Sequence, residues 1–234
     1  IFQSKTVIKS RATLIVTPPS ILTQWEREIA RHTKKLKVIV YPGMKDLCGS
    51  SSSSNHLLNP RVLADADVVL TTFNILNSDI GHSDENPYTG TSGRLRHGKR
   101  HIVLPSPLSS VEWYRVLLDE AQRVEAPTTA SARMARKLRT GIRWCVSGTP
   151  IGRHNFKDLY GLFLFLSFRP FDEKNWFMNS FVLSHGDAMR RLSHLLRNVM
   201  WRSTKQNSSV REQMGIPEQE EKKVILRFSS IEKY

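Results

Sequence analysis

The sequence predicts an α/β fold in which a parallel sheet carries helices on both faces. Short runs rich in β-branched residues recur along the chain, and their apolar positions are continuous, which is typical of strands buried on both faces. The five runs are Ala12–Thr17, Lys37–Tyr41, Asp67–Thr72, Tyr114–Leu118 and Arg143–Ser147. Helical patterns lie between them, over residues 21–29 and over residues 128–138 with Thr128 or Thr129 as the cap. This alternation predicts a doubly wound lobe.

The pattern becomes helical after the fifth run. Further helices are predicted over Phe156–Phe168, Glu173–Val182 and Asp187–Trp201. A polar segment over residues 203–222 and a strand pattern over Lys223–Phe228 follow. We therefore predict one lobe over residues 1–205, and a linker with the start of a second lobe over residues 206–234.

Composition excludes several classes of protein. Of the 234 residues, 35 are Lys or Arg and 21 are Asp or Glu, and the net charge of +14 suits a polyanionic partner. The longest apolar stretch, Leu162–Leu166, is far shorter than the roughly 20 residues of a membrane helix. Cys48 and Cys145 are too few for a disulfide framework or a structural zinc site, so we expect a reducing intracellular compartment and no zinc. The chain begins without Met, and we expect it to be a fragment.

An acid pair follows the fourth apolar run. Asp119 and Glu120 come directly after Val116–Leu118, and ligands bind off the carboxyl ends of parallel strands. An Asp in that place can hold Mg²⁺ together with phosphate oxygens, and its neighbouring Glu can orient or deprotonate the water that attacks a γ-phosphate. The alternative is an ordinary solvated strand end.

Small hydroxyl residues follow the next run. Ser147, Gly148 and Thr149 are placed to hydrogen-bond with the acid pair and to move with it, which would couple hydrolysis to strand movement. The alternative is a simple Ser-Gly-Thr-Pro turn.

These segments resemble, in order, the motifs of the Swi/Snf class of helicase-like ATPases. The matching segments are Leu14–Glu28 (motif Ia), Asp67–Asn74 (motif Ib), Leu118–Gln122 (motif II), Val146–Pro150 (motif III) and Trp201–Lys205 at the end of the first lobe. The resemblance implies a RecA-like first lobe, incomplete at both ends, that uses ATP and Mg²⁺, tracks duplex or nucleosomal DNA and works with a second lobe of the same chain. It makes Asp119, Glu120 and Gln122 catalytic.

Three details resemble one branch of that class, the SHPRH group of nuclear E3 ubiquitin ligases. They are Gln122 where most members have His, the phrase Pro105–Arg115, and the phrase Ile142–Pro150. This resemblance implies a nuclear protein of chromatin or DNA repair. A ubiquitin-conjugating enzyme would bind a RING outside this chain, because two cysteines cannot supply the zinc ligands of a RING.

The phosphate-binding Walker A loop is missing ahead of motif Ia. The segment Gly93–Arg100 fits its spacing, but Arg100 stands where Mg²⁺ needs Ser or Thr, and no strand and helix flank it. The resemblance implies that Walker A lies upstream, beyond inserted linker-histone-like and PHD modules. We therefore expect this chain alone to be inactive.

Contacts to DNA are predicted at small polar groups that end two strands, and at one Arg. These residues are Thr17, Pro18, Ser20, Thr71, Thr72, Asn74 and Arg202, with helix capping as the alternative for Ser20 and Asn74. Trp25 is predicted to pack against the sheet rather than to stack on a base.

Residues 79–111 are rich in Gly, Ser, Pro and basic side chains, which predicts an insertion between two core strands. Its densest basic cluster is either an arm that tracks phosphates or a solvated loop. The cluster is Arg94, Arg96, Lys99 and Arg100.

Three functions stay open at this point. The motifs favour part of a DNA-stimulated translocase, ahead of a helicase that separates strands. A catalytically dead lobe that docks DNA, histones or another protein is the alternative.

Overall fold

A computed structural model describes residues 7–49, 53–82, 104–152, 156–183 and 186–204, together with 207, 210, 212, 215, 221–226 and 228. The chain divides into two compact units, Ile1–Ala188 and Met189–Tyr234. The lobe boundary predicted near residue 205 stays a prediction, because these two units are defined by compactness and not by their correspondence to lobes.

The first unit is built on a wholly parallel sheet, as predicted. Its strands are β1 (Ile8–Lys9), β2 (Thr13–Thr17), β3 (Val38–Val40), β4 (Val68–Thr72), β5 (Val111–Asp119) and β6 (Arg139–Val146). β5 pairs with β1, β2 and β6, while β4 lies between β2 and β3. Thr17 is in register with Thr72, and Asp119 with Val146. The carboxyl ends of four strands therefore meet at one edge of the sheet.

Helices lie on both faces of this sheet. The α-helices that the structure describes in the first unit are α1 (Leu22–His32), α2 (Met44–Gly49), α3 (Pro60–Ala64), α4 (Phe73–Asp79), α5 (Pro107–Ser110), α6 (Ala130–Lys137), α7 (Lys157–Leu166) and α8 (Lys174–Phe177). The second unit contains α9 (Ala188–Val199), except for its first residue. The Thr129 hydroxyl accepts the Ala132 N–H at 3.3 Å, so Thr129 is the cap of α6. The predicted helix Glu173–Val182 is α8 continued by one π-helical turn, Met178–Val182.

Two clusters of side chains define the faces. Ile15, Val68 and Leu70 form a core on one face, against which Trp25 and Ile29 of α1 pack, so the predicted packing of Trp25 is confirmed. On the other face, Arg143 of β6 donates to the Leu138 carbonyl at 2.9 Å, beyond the end of α6, and its guanidinium lies 5.1 Å from the ring centre of Phe165. Burial lowers the pKa of Arg143.

Two predictions about strands are wrong. The run Arg143–Ser147 is not buried on both faces, because Ile142, Trp144 and Val146 of β6 are exposed and, among the described strands, β6 pairs only with β5. The strand pattern over Lys223–Phe228 gives no strand at residues 223–226 or 228, where no partner strand supplies backbone hydrogen bonds. Within the described part of the chain, no helix has the length and apolar character to cross a membrane.

Candidate nucleotide and DNA site

The acid pair lies where the sequence places it, at the carboxyl end of β5. Glu120 has left-handed backbone angles, φ 52° and ψ 50°, which are uncommon for a residue other than Gly. This turn ends the strand directly after Asp119, whose Oδ1 accepts the Glu120 N–H at 2.9 Å. Both carboxylates are half-buried. Strain of this kind concentrates at functional sites, where surrounding bonds hold it in place.

Glu120 is joined to the end of β6 by an unbroken path of hydrogen bonds. Gln122 Nε2 donates to Glu120 Oε2 at 2.7 Å, and Ser147 Oγ donates to Gln122 Oε1 at 2.8 Å. The Thr149 N–H in turn donates to Ser147 Oγ at 3.1 Å. The NH₂ and the carbonyl oxygen of the Gln122 side-chain amide therefore bridge the acid pair and the loop of Ser147, Gly148 and Thr149, which the sequence predicts as partners.

α7 supports both of these segments, which sequence reasoning missed. The Gly152 N–H donates to Asp158 Oδ2 at 2.9 Å, and Asp158 is only 3% exposed. A Cβ on Gly161 would lie 2.2 Å from the Glu125 carbonyl oxygen and 2.4 Å from that of Val124. Only a glycine lets the helix approach so closely the turn that carries Gln122. The apolar stretch Leu162–Leu166 gave no signal of this contact.

Most of the predicted DNA contacts turn their side chains inward. Thr17 and Thr71 are fully buried, with hydroxyls that donate to the Pro18 and Tyr41 carbonyls at 3.3 Å each. Thr72 caps α4 by accepting the Ile75 N–H at 3.3 Å. These three hydroxyls thus hold the fold together.

The remaining predicted contacts divide by exposure. Pro18 is buried, whereas Ser20, Asn74 and Arg202 are exposed. Neither Ser20 nor Asn74 caps a helix, because Ile21 precedes α1 and Thr72 precedes α4. Side-chain contacts to phosphate stay a prediction for Ser20, Asn74 and Arg202. The basic cluster at 94–100, with its Walker A-like spacing, lies outside the described residues.

A buried carboxylate outside the predicted site connects the two ends of the predicted insertion. Asp79, at the end of α4, is fully buried and accepts the Tyr41 hydroxyl at 2.7 Å, the Ser106 hydroxyl at 3.0 Å and the Met44 N–H at 3.0 Å. Burial and the neighbouring Asp79 carboxylate raise the pKa of Tyr41. The Ser106 N–H also donates to the His82 carbonyl at 2.8 Å. The two ends of the insertion are thereby fixed side by side.

The donor set at the acid pair fits Mg²⁺ bound through a nucleotide. That hard cation takes one or two carboxylates together with phosphate oxygens, and Asp119 supplies one carboxylate that is fixed in orientation and half-exposed. The described residues contain no cluster of three or more His, Cys, Asp or Glu side chains that would hold a metal by themselves.

The two cysteines differ in their surroundings. Burial raises the pKa of the Cys145 thiol to about 12, and Cys48 is exposed.

Together the parallel sheet and the acid pair linked to the neighbouring strand define a RecA-like lobe of the helicase-like ATPase class. The family described as the SNF2-related domain matches residues 1–234, and the chain belongs to this family.

Curated relatives agree with this assignment. The chain is 40% identical over 233 residues to the E3 ubiquitin-protein ligase SHPRH of Mus musculus. The match covers 97% of this chain and 13% of that protein. The Homo sapiens SHPRH is 39% identical over the same shares. The Helicase-like transcription factor of Mus musculus is 31% identical over 204 residues, 84% of this chain and 17% of that protein. The chain thus spans a small part of each relative.

A solved structure shows the same fold. The Sulfolobus solfataricus SWI2/SNF2 ATPase core in complex with dsDNA is similar with a TM-score of 0.61 at 21% identity, over 88% of this chain and 36% of that one.

Proposed function

We propose that this chain forms part of a DNA-stimulated, Mg-ATP-dependent translocase, as the first lobe of a Swi/Snf-type motor. The observation that carries the proposal is the hydrogen-bond path from Glu120 through Gln122 and Ser147 to Thr149. Along this path, a movement at the end of β6 changes the position of the carboxylate that handles the attacking water. A solvated strand end needs no such connection.

Each residue of the site has a distinct role in the proposal. Asp119 holds Mg²⁺, which when bound offsets the negative charge of the phosphates. Oε2 of Glu120 accepts a hydrogen bond from the Gln122 amide. We therefore assign the other oxygen of Glu120, Oε1, to orienting the attacking water and taking its proton. Ser147 holds the amide of Gln122, so that its N–H group points at Glu120 and its oxygen at the loop.

The outer side of β6 is suited to the phosphate-binding segment that we place upstream. Ile142, Trp144 and Val146 expose one face of this strand, and Trp144 is 55% exposed. Among the described strands β6 pairs only with β5, so the backbone N–H and C=O groups on its other edge can pair with a further strand. We assign this edge to the Walker A segment, and the transition-state arginine to the second lobe.

The proposed partners follow from charge and from the relatives. Duplex or nucleosomal DNA would lie against Ser20 and Asn74, with Arg202 as a further contact, because exposed polar groups and a net charge of +14 suit phosphates. The SHPRH relatives are named E3 ubiquitin-protein ligases. We propose that this chain is part of a nuclear E3 ubiquitin ligase that acts on chromatin or in DNA repair. The RING of that ligase, and the ubiquitin-conjugating enzyme that binds it, would lie outside residues 1–234.

The test is Glu120→Gln in the full-length protein. The substitution keeps the size of the side chain and an oxygen for Gln122, but it removes the charge and the basicity of the carboxylate. We expect turnover of ATP with duplex DNA to fall by about 10²-fold or more, as for loss of a general base. DNA affinity should change less than about twofold, since phosphate contacts lie elsewhere.

Two other results would change the interpretation. Unchanged turnover in Glu120→Gln would overturn the catalytic role of Glu120. A wild-type full-length protein that binds DNA but hydrolyses no ATP would leave the docking module as the function of the lobe.

A further inference from the structure

Trp25 makes a contact that its core packing does not require. The ring lies in the middle of α1 and packs against the core of Ile15, Val68 and Leu70. Packing of an indole leaves one polar group, the Nε1–H, which needs an acceptor when the ring is partly buried. That acceptor is Asp119 Oδ2, at 2.7 Å. A residue of the motif Ia helix is thus bonded to the carboxylate that we assign to Mg²⁺.

The two oxygens of Asp119 are each held by one donor. Oδ2 accepts the indole N–H, and Oδ1 accepts the N–H of Glu120. The torsion of a carboxylate about its last bond is broad when nothing fixes it, and two donors on opposite oxygens restrict it. Each oxygen keeps a further lone pair for a ligand, because a carboxylate has about four acceptor sites.

The chemical nature of the donor suits a cation site. An indole donates a hydrogen bond without carrying charge, so it places no positive charge beside Asp119. Lys or Arg in the same place would orient the carboxylate too, but its positive charge would repel Mg²⁺. Trp is the side chain that fills the apolar face of α1 and still directs a neutral donor at the carboxylate.

We propose that Trp25 is a positioning residue that holds the Asp119 carboxylate in the orientation that binds Mg²⁺. The proposal rests on the proposed function, because it takes Asp119 as the metal-binding residue. α1 begins directly after the turn that carries Ser20, an exposed residue assigned to DNA. A movement of this turn would therefore be transmitted through α1 to Trp25 and to the carboxylate.

The test compares Trp25→Phe with Trp113→Phe in the full-length protein. Both substitutions keep an aromatic ring and delete one indole hydrogen bond, because Trp113 Nε1 donates to the Leu108 carbonyl at 3.0 Å. Trp113 is 2% exposed and lies on the same strand as Asp119, but six residues earlier, about 20 Å away along the strand. It is therefore a matched control for lost packing and lost stability.

Two readouts are needed, one of which does not depend on hydrolysis. The first is the Kd for Mn²⁺ in the presence of a non-hydrolysable ATP analogue, measured by electron paramagnetic resonance of free Mn²⁺. The second is the Mg²⁺ concentration that gives half-maximal turnover with duplex DNA. Loss of a hydrogen bond to a charged group predicts that Trp25→Phe raises both by about tenfold. Turnover at saturating Mg²⁺ should recover to within about threefold, because Asp119 and Glu120 are unchanged.

The outcomes separate this inference from the proposed function. Trp113→Phe should leave both metal readouts at the wild-type values, and equal shifts in the two variants would reduce Trp25 to a packing residue. Wild-type metal readouts in Trp25→Phe would overturn the proposal. If the wild type binds Mn²⁺ with the analogue but hydrolyses no ATP, the proposed motor fails while the Mn²⁺ comparison still decides the role of Trp25. Absence of any Mn²⁺ binding by the wild type would overturn both.

Discussion

Gly161→Ala tests whether α7 holds the turn that carries Gln122. The added Cβ would lie 2.2 Å from the Glu125 carbonyl oxygen, whereas ordinary contacts begin at 3.4 Å, so α7 and the turn must separate by about 1 Å. The opposing atoms belong to the backbone and cannot rotate away. Overpacking against fixed backbone costs about 3 kcal/mol, the upper end of the usual range, and exchange of Gly for Ala in a helix returns about 1 kcal/mol. The net loss is about 2 kcal/mol.

The assay is thermal unfolding of this chain. A loss of about 2 kcal/mol in a chain of this size predicts a Tm lower by about 4–8 °C. Gly141→Ala is the control, because a Cβ there meets no atom within 4 Å. That variant should melt at or slightly above the wild-type temperature, since Ala lowers the entropy of the unfolded chain. Gly161→Ala melting with or above the wild type would refute the reasoning about the close approach.

Two further predictions concern groups outside the acid pair. Asp79→Asn puts an amide N–H₂ where three donors converge, so at least one buried group loses its partner. The free energy of unfolding should therefore fall by about 1–3 kcal/mol. An unchanged midpoint of unfolding in urea would contradict this. Because the pKa of the Cys145 thiol is about 12, its reactive thiolate is scarce at pH 8 and becomes common only as the pH approaches 12. A thiol reagent at pH 8 should therefore modify exposed Cys48 first, and equal rates for the two cysteines would count against the buried placement of Cys145.

The sequence predicts the sheet well because its signal is local. Continuous β-branched runs such as Val68–Leu70 require burial on both faces, and the structure buries them. The same signal is wrong for β6, where Trp144 is exposed. A run of apolar residues predicts that a strand has apolar surroundings. It does not indicate whether the described part of the chain supplies those surroundings.

The candidate site is predicted in part. Asp119, Glu120 and Gln122 follow one strand, and Ser147 follows its neighbour, so parallel pairing alone brings them together. The direction of a hydroxyl is not encoded in this way. Thr17 and Thr71 suit a phosphate as well as a backbone carbonyl, and the structure shows the second.

Long-range contacts lie beyond sequence reasoning altogether. Trp25 falls on the apolar face of its helix, which predicts packing but gives no sign of the bond from its N–H to Asp119. Asp79 has no motif around it, and its three donors lie between 27 and 38 residues away from it in the chain. Gly161 is one glycine within a helical pattern, and only the position of the turn explains it.

The measurement that bears most directly on the proposed motor is ATP hydrolysis by the full-length wild-type protein, with and without duplex DNA. We predict turnover that rises when DNA is added, and none from residues 1–234 alone, because we propose that the phosphate-binding segment lies outside this range. DNA binding by the full-length protein without any turnover would contradict the motor.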